Sequence, residues 1–307
     1  MPFNPHSFLQ EEILTQPDDW ARVVSRVDEA RAALPPVGAR LAVVGCGTSF
    51  YMAQAYAALR ERAGQGETDA FAASEHRLHR GYDAVLVITR SGTTTEVLEV
   101  LTELQGSGTP TTAIVATAGT PATELADRVI LLSEVDEQSV VQTRFATTAL
   151  ALLRSSLGED LTGAIADART VLAQDEVQSL AGLADVEQLT FLGRGWTVGL
   201  AEEAGLKLRE SAQLWTESYP AMEYRHGPIS IAAPGRVTWA FGEVPEGLAE
   251  QVEATGAHFE HRDIDPMADL VRVHRLCLAR ARQADVDPDS PRSLTRSIVL
   301  SDAGGHR

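Results

Sequence analysis

The chain is 307 residues long, 44% hydrophobic and 22% charged, with a formal net charge of −17. That composition can bury a sizeable core and argues against disorder, while the length fits one large domain or two of ordinary size. The acidic balance argues against nucleic acid as the main partner, because a phosphate backbone needs a basic footprint, and no apolar run reaches the ~18 residues a membrane span requires.

The opening stretch, "MPFNPHSFLQEEILTQPDDW", has neither the basic n-region nor the apolar h-region of a signal peptide. Residues 10–34 are expected to form an amphipathic helix closed by Pro35 and Pro36. Arg40–Gly45, "RLAVVG", is a short, β-branched apolar run of the kind buried on both faces of a parallel sheet. "CGTS" follows, and then a helical "FYMAQAYAALRERA". Ala84–Thr89, "AVLVIT", is a second strand, with a helix expected from about Thr94 to Leu104. "TTAIVAT" and "RVILL" repeat the strand signal around a short helix opened by Pro121, and "TRFATTALALLRSSL" closes the block as a helix. This alternation predicts an α/β fold: a parallel sheet with helices on both faces.

The pattern then restarts. "LTFLGRGWTVGLAEEAGLKLRE" (Leu189–Glu210) echoes "LAVVGCGTSFYMAQAYAALRE" (Leu41–Glu61), each giving a strand, Gly-x-Gly and an Ala-rich helix that ends in Leu-Arg-Glu. One repeat at half the chain length predicts two similar α/β halves rather than a solenoid. The boundary is expected in the polar stretch 161–180, giving units of 1–165 and 166–307. "VTWAFG" and "MADLVRVHRLCLARARQA" supply a strand and a helix of the second half. A Pro/Asp loop and a short strand-like piece precede a polar tail.

Ligands of open parallel sheets bind beyond the C-terminal strand ends, and three hydroxyl-rich clusters fall there. Thr48 and Ser49 follow the first strand, and Thr143 and Arg144 follow the Gln138–Gln142 loop. Thr89, Ser91, Thr93, Thr94 and Thr95 follow the strand "AVLVI". Helix N-termini offer unpaired N–H groups and about +0.5 charge, and Gly92 would let the backbone approach an anion closely. One hydroxyl at a helix start is ordinary capping. Five hydroxyls between residues 89 and 95 exceed what capping needs and point to a phosphate cradle. Gly45-x-Gly47 and Gly193-x-Gly195 are incomplete dinucleotide fingerprints, and no G-x-x-x-x-G-K-[ST] loop is present.

Of the 26 basic residues only Lys207 is lysine. Lys207 and Glu210 are three apart on a predicted helix and share a face, so they are either a proton-transfer pair or a surface ion pair. His226, in "RHGP", is a loop histidine able to titrate near neutral pH. Cys46 is a candidate nucleophile or merely a small residue between glycines. With Cys277 it makes a pair of cysteines that suits a reducing cytoplasm better than a disulfide framework.

"CGTS", "VLVITRSGTTTE" and the "LKLRE…HGP" spacing resemble the sugar isomerase (SIS) family. They are similar to the isomerase half of glucosamine-6-phosphate synthase and to its stand-alone relatives, the amino-sugar-phosphate deaminases and fructosamine-6-phosphate deglycases. The resemblance implies two tandem SIS domains, 1–165 and 166–307, each a flavodoxin-like three-layer sandwich. It implies an enzyme acting on a 6-phosphorylated amino sugar or ketose-amine in a cytoplasmic homodimer, without metal or redox cofactor, membrane or nucleic acid. Ser49, Thr89, Arg90, Ser91 and Thr94 would hold the sugar phosphate, and Cys46 and Gln142 would line the sugar. Glu210 would move a proton between C1 and C2, Lys207 would assist at the oxygens, and His226 would open the ring from the second subunit. Thr89 stands where the family often has serine, and Arg90 where the synthases carry glutamine. Arg296 matches a synthase lysine that forms an imine, which arginine cannot do. No glutaminase or helix-turn-helix segment precedes the SIS region in this sequence, which disfavours glutamine-dependent synthesis and the transcription-regulator branch. The alternative is a non-catalytic sensor that binds a sugar phosphate and regulates a partner.

Overall fold

The computed structural model describes residues 3–183 and 185–300. α1 spans Phe8–Val24, with the Ser7 hydroxyl accepting from the Gln10 N–H at its start. The Asp289 carboxylate, distant in sequence, accepts from the N–H groups of Phe8 (2.7 Å) and Leu9 (2.8 Å) and so places a negative charge at the positive end of the helix. The single helix expected over 10–34 is interrupted. α1 ends at Ser25, whose hydroxyl donates to the Arg22 carbonyl, and α2 resumes over Val27–Arg31. A serine hydroxyl bonding its own helix backbone offers the chain an exit from the helical ladder.

β1 (Leu41–Gly45) leads into α3 (Thr48–Arg62), β2 (Thr68–Ala72), β3 (Ala84–Thr89) and α4 (Thr95–Leu104). β4 (Thr111–Val115), α5 (Pro121–Leu125), β5 (Arg128–Leu131) and α6 (Arg144–Ser156) complete the first half. Its five strands are all parallel, in the order β2-β1-β3-β4-β5. β1, β3 and β4 are buried at every residue, as their unbroken apolar runs predict for strands covered on both faces. β2 was not legible, because "TDAFA" is a half-buried edge strand with no strong period.

The polar stretch 161–180, where the boundary was expected, is largely helical. α7 (Thr162–Ala173) buries Ala164, Ile165, Ala168 and Val171, and α8 (Glu176–Ser179) follows. β6 (Gln188–Gly193), α9 (Thr197–Ala212), β7 (Thr216–Pro220) and β8 (Arg236–Ala240) come next. α10 (Leu248–Glu253), β9 (His258–Glu260) and α11 (Pro266–Gln283) end the regular structure. The second sheet is also parallel, in the order β7-β6-β8-β9. The strand-like piece near the C-terminus is not a sheet strand; it lies extended against the start of α4, where the Thr95 N–H donates to the Ile298 carbonyl at 3.1 Å.

The largest buried cluster draws Leu41, Leu86 and Ile114 from the first sheet and Phe191 and Trp239 from the second, joined through Leu200 and Leu208 of α9 and Leu270 of α11. α3 and α9 meet closely: a Cβ on Gly199 would lie 2.4 Å from the Tyr51 carbonyl oxygen. At each strand end a glycine lets the following helix fold back. A Cβ on Gly45 would lie 2.7 Å from the Ser49 backbone, and one on Gly193 would lie 2.2 Å from Thr197 O. The first glycine of each repeated Gly-x-Gly is thus a close-packing device, and the α3–α9 crossing brings one face of α9 over the strand ends of the first sheet. Among the described residues no helix is long and apolar enough to cross a membrane.

Candidate active site

A cavity of about 180 Å³ opens where β1 and β3 end. Its walls are the α3 N-terminus (Cys46, Thr48, Ser49), the loop after β3 (Thr89, Arg90, Ser91, Thr94), Gln142, Lys207 and Glu210 on α9, and the C-terminal segment Leu294–Ile298. Nine of the ten site residues expected from sequence therefore converge: Cys46, Ser49, Thr89, Arg90, Ser91, Thr94, Gln142, Lys207 and Glu210. His226 is the exception. It is exposed, in a 3₁₀ turn over Glu223–His226, and does not line the cavity of its own chain.

The loop after β3 is built to present hydroxyls. Gly92 adopts φ +66°, a left-handed conformation costly for a residue with a side chain, and a Cβ there would lie 2.0 Å from Thr120 Oγ1. Ser91 and Thr93 bond each other (3.1 Å), and both donate to the Ser297 hydroxyl of the C-terminal segment, at 3.1 and 2.9 Å. Thr94 Oγ1 lies 3.4 Å from the same oxygen. The Ser297 oxygen is thus surrounded by three hydroxyls. The Gln142 Oε1 acceptor lines the same cavity without a donor, so a sugar hydroxyl could satisfy it.

The Arg90 guanidinium is engaged elsewhere. It is 4% exposed and pairs with Glu137 (3.4 Å); it also donates to the carbonyls of Ser139, Val140 and Arg296 at 3.0–3.2 Å. Its charge braces the 137–142 loop and the C-terminal segment, and Arg90 meets the cavity as a wall rather than as a free cation. Glu137 completes the brace by accepting from the N–H groups of Thr143 (2.6 Å) and Arg144 (2.7 Å). The Arg296 side chain pairs with Asp136 and donates to the Glu137 carbonyl, so it too is a strut. Burial, reinforced by Glu96, pushes the Cys46 thiol up to about 11, which favours the small-residue role over an activated nucleophile.

On α9, Lys207 is fully buried and pairs with Glu210; a second carboxylate, Glu203, lies 3.7 Å from Nζ. The three occupy positions i, i+4 and i+7, one helical stripe. Burial pulls the Lys207 ammonium down, but Glu203, Glu210 and Glu137 outweigh it and the net displacement is upward. Lys207 is therefore held as a cation. Burial raises Glu203 to about 8, with Lys207 opposing, so Glu203 carries its proton at neutral pH. Glu210 is the more accessible carboxylate, its side chain 19% exposed against 1% for Glu203. The arrangement can deliver a carboxylate base to a bound carbon acid while an adjacent ammonium stabilises charge developing on oxygen. Sequence reasoning missed Glu203, although its spacing four residues before Lys207 was a signal that could have found it. Ser297 was not, since nothing local in "TRSIVL" signals that it meets residues some two hundred positions earlier.

Residues 38–155 match the SIS domain family model. The chain is 27% identical to the isomerizing glutamine–fructose-6-phosphate aminotransferase of Aeropyrum pernix, over 96% of this chain and 57% of that protein. It is 26% identical to the enzyme of the same name from Sulfolobus acidocaldarius, again over 96% and 57%; the chain thus spans little more than half the length of these relatives. The fold is that of Thermotoga maritima glucosamine-6-phosphate deaminase (TM-score 0.82, 21% identity, 96% of this chain and 100% of that one). It is also that of Escherichia coli tagatose-6-phosphate ketose/aldose isomerase (TM-score 0.77, 18% identity, 99% of each). The α3 N-terminus and the hydroxyl loop fall at residues 46–49 and 89–95, inside the matched segment, while Lys207 and Glu210 lie outside it.

Proposed function

We propose that this chain is a phosphosugar isomerase or deaminase that acts on a 6-phosphorylated amino sugar or ketose-amine by carboxylate-mediated proton transfer between C1 and C2. The observation that carries the reading is that Glu210, paired with the buried cation Lys207, lines the same cavity as the hydroxyl loop Thr89–Thr94. An anion in that loop would be held by hydroxyls and backbone amides, so an acidic chain can bind a charged metabolite without a basic surface. The carbon chain of the sugar then runs from the loop toward Glu210. Glu210 takes the proton from one carbon and returns it to its neighbour; the Lys207 ammonium stabilises the enediol oxygens between the two steps.

The second sheet belongs to the same proposal as a further SIS domain. Its strand order, β7-β6-β8-β9, repeats the order β2-β1-β3-β4 of the first, and both begin with the same strand–Gly-x-Gly–helix unit. His226 enters the site from a second copy in a cytoplasmic homodimer and opens the sugar ring. With Arg296 committed to Asp136, the chemistry uses no protein imine at that position; the substrate supplies its own nitrogen. Glu210→Gln should reduce turnover of glucosamine 6-phosphate or its ketosamine isomers by about 10³-fold or more, with phosphosugar affinity kept within about threefold. Full activity in that variant rejects the assignment.

A further inference from the structure

The loop that carries Gln142 to the cavity is gripped from two sides. Arg90 holds its carbonyls, donating to Ser139 (3.1 Å) and Val140 (3.2 Å). Glu12, on α1 and 4% exposed, holds its amides: Oε1 accepts from the N–H groups of Gln138 (2.6 Å) and Ser139 (3.3 Å). Val140 and Gln142 line the cavity, whereas Glu12 stands behind them. The Ser139 hydroxyl lies 2.5 Å from Glu12 Oε2 and 2.7 Å from the carbonyl oxygen of the buried Val141. A hydroxyl has one proton and cannot donate to both. A neutral Glu12 resolves the count: its O–H donates to Ser139 Oγ, and Ser139 donates onward to Val141. An ionised Glu12 draws the Ser139 proton to itself, and the Val141 carbonyl loses that donor.

Resting on the function proposed above, we infer that Glu12 is a positioning residue whose proton latches the Gln138–Gln142 loop in its binding shape, so that losing the proton weakens phosphosugar binding. The surroundings favour the neutral acid. From the loop, Glu137 sets a second carboxylate beside it. The nearby charged groups have other partners. Arg144 of α6 turns to Thr15 Oγ1 and the Asp136 carbonyl, and Arg169 of α7 pairs with Asp18. His274 of α11 bonds Gln16, and Asp289 accepts from the amides of Phe8 and Leu9. Asp19, also on α1, is bound by Thr15 and Arg22, and Arg90 lies across the loop, paired with Glu137. Burial first and Glu137 second lift Glu12 from 4.5 to about 7, with the hydrogen bonds from Ser139 and Gln138 opposing. A carboxyl raised in this way holds its proton, and the latch, below that value and loses both as pH rises through about 7. Release loosens Val140 and the Gln142 acceptor that faces the sugar.

The test sets the wild type beside Glu12→Gln, whose side-chain amide copies the neutral acid: it donates to Ser139 Oγ, accepts from the loop amides and does not titrate. Hydrogen exchange on the full chain without ligand, corrected for the intrinsic pH dependence of exchange, reads the loop. In the wild type the N–H groups of Gln138, Ser139 and Val140 should lose about tenfold in protection between about pH 6 and about pH 8, the scale of one buried hydrogen bond. In Glu12→Gln their protection should stay level. Titration calorimetry with glucosamine 6-phosphate reads the site, with Glu210→Gln added to both proteins so that no turnover intrudes. The ratio of the two dissociation constants cancels the titration of the ligand and of Glu203, and it should change about threefold to tenfold over the same interval, against the wild-type Glu12 at high pH. Protection that falls alike in both proteins, or not at all in the wild type, overturns the latch. A released loop with an unchanged affinity ratio overturns the positioning role. Should Glu12→Gln fail to fold, Ser139→Ala decides: it breaks the relay and should show the released loop already at about pH 6, and full protection there overturns the latch. No binding of glucosamine 6-phosphate at any pH, with exchange as expected, fails the proposed function and leaves the proton-held loop supported.

Discussion

Glu203→Gln isolates a proton that the fold holds in its interior. Glu203 is 1% exposed, four residues before Lys207 on α9, and burial lifts it from the usual 4.5 to about 8. Between those values the folded chain binds a proton there that the unfolded chain does not. A carboxyl raised in this way stabilises the fold fully below pH 4.5, and that stabilisation is lost as pH rises through about 8. From about pH 5.5 to about pH 7.5 both endpoints lie inside the window; one proton over about two pH units at about 1.4 kcal/mol each gives a fall of about 2–3 kcal/mol. Glutamine keeps the shape of the neutral acid and cannot titrate, so the stability of the wild type relative to Glu203→Gln should drop by that amount across the interval. The difference cancels the other groups that titrate there, among them Glu12, raised to about 7 by burial and Glu137, and His274, lowered to about 3 by burial and Lys207. Urea unfolding of both proteins at three pH values and constant ionic strength measures it. Parallel stability curves would refute a buried, protonated Glu203.

Other perturbations address the loop, the C-terminal segment and the assembly. Gly92→Ala sets a methyl group 2.0 Å from Thr120 Oγ1 at φ +66° and should cost about 2–4 kcal/mol of stability along with phosphosugar binding; calorimetry showing less than half that cost would mean the loop adapts freely. Ser297 occupies the centre of the hydroxyl cluster, so Ser297→Ala should tighten phosphosugar binding about threefold, the scale of one displaced neutral hydrogen bond. Weaker binding by titration calorimetry would instead make Ser297 a ligand. If His226 serves the site of a second copy, mixing inactive Glu210→Gln and His226→Ala proteins after subunit exchange should restore about a quarter of wild-type activity, since a closed two-fold dimer of one of each holds one complete site. No recovery despite exchange would place His226 outside the chemistry.

The sequence by itself determined the layers and named most of the residues that line the first cavity. Apolar runs such as Ala84–Thr89 can be satisfied only as strands covered on both faces, and helices between them force a parallel arrangement. The hydroxyl loop and the Lys207–Glu210 pair were legible for the same reason: neighbours in sequence on a turn or helix are neighbours in space whatever the rest of the chain does. Edge strands β2 and β7 escaped notice because half-buried residues carry little periodic signal, and the polar stretch 161–180 hid the buried face of α7. Tertiary structure alone decided which groups meet across the fold. The Arg90 charge was spent on Glu137 and three carbonyls, Arg296 was tied to Asp136, Ser297 entered the hydroxyl cluster, and a second cavity opened beside Glu210. Those outcomes depend on α3 crossing α9 and on the chain beyond α11 returning over the first sheet. Such contacts between distant residues are set by packing and leave no local pattern to read.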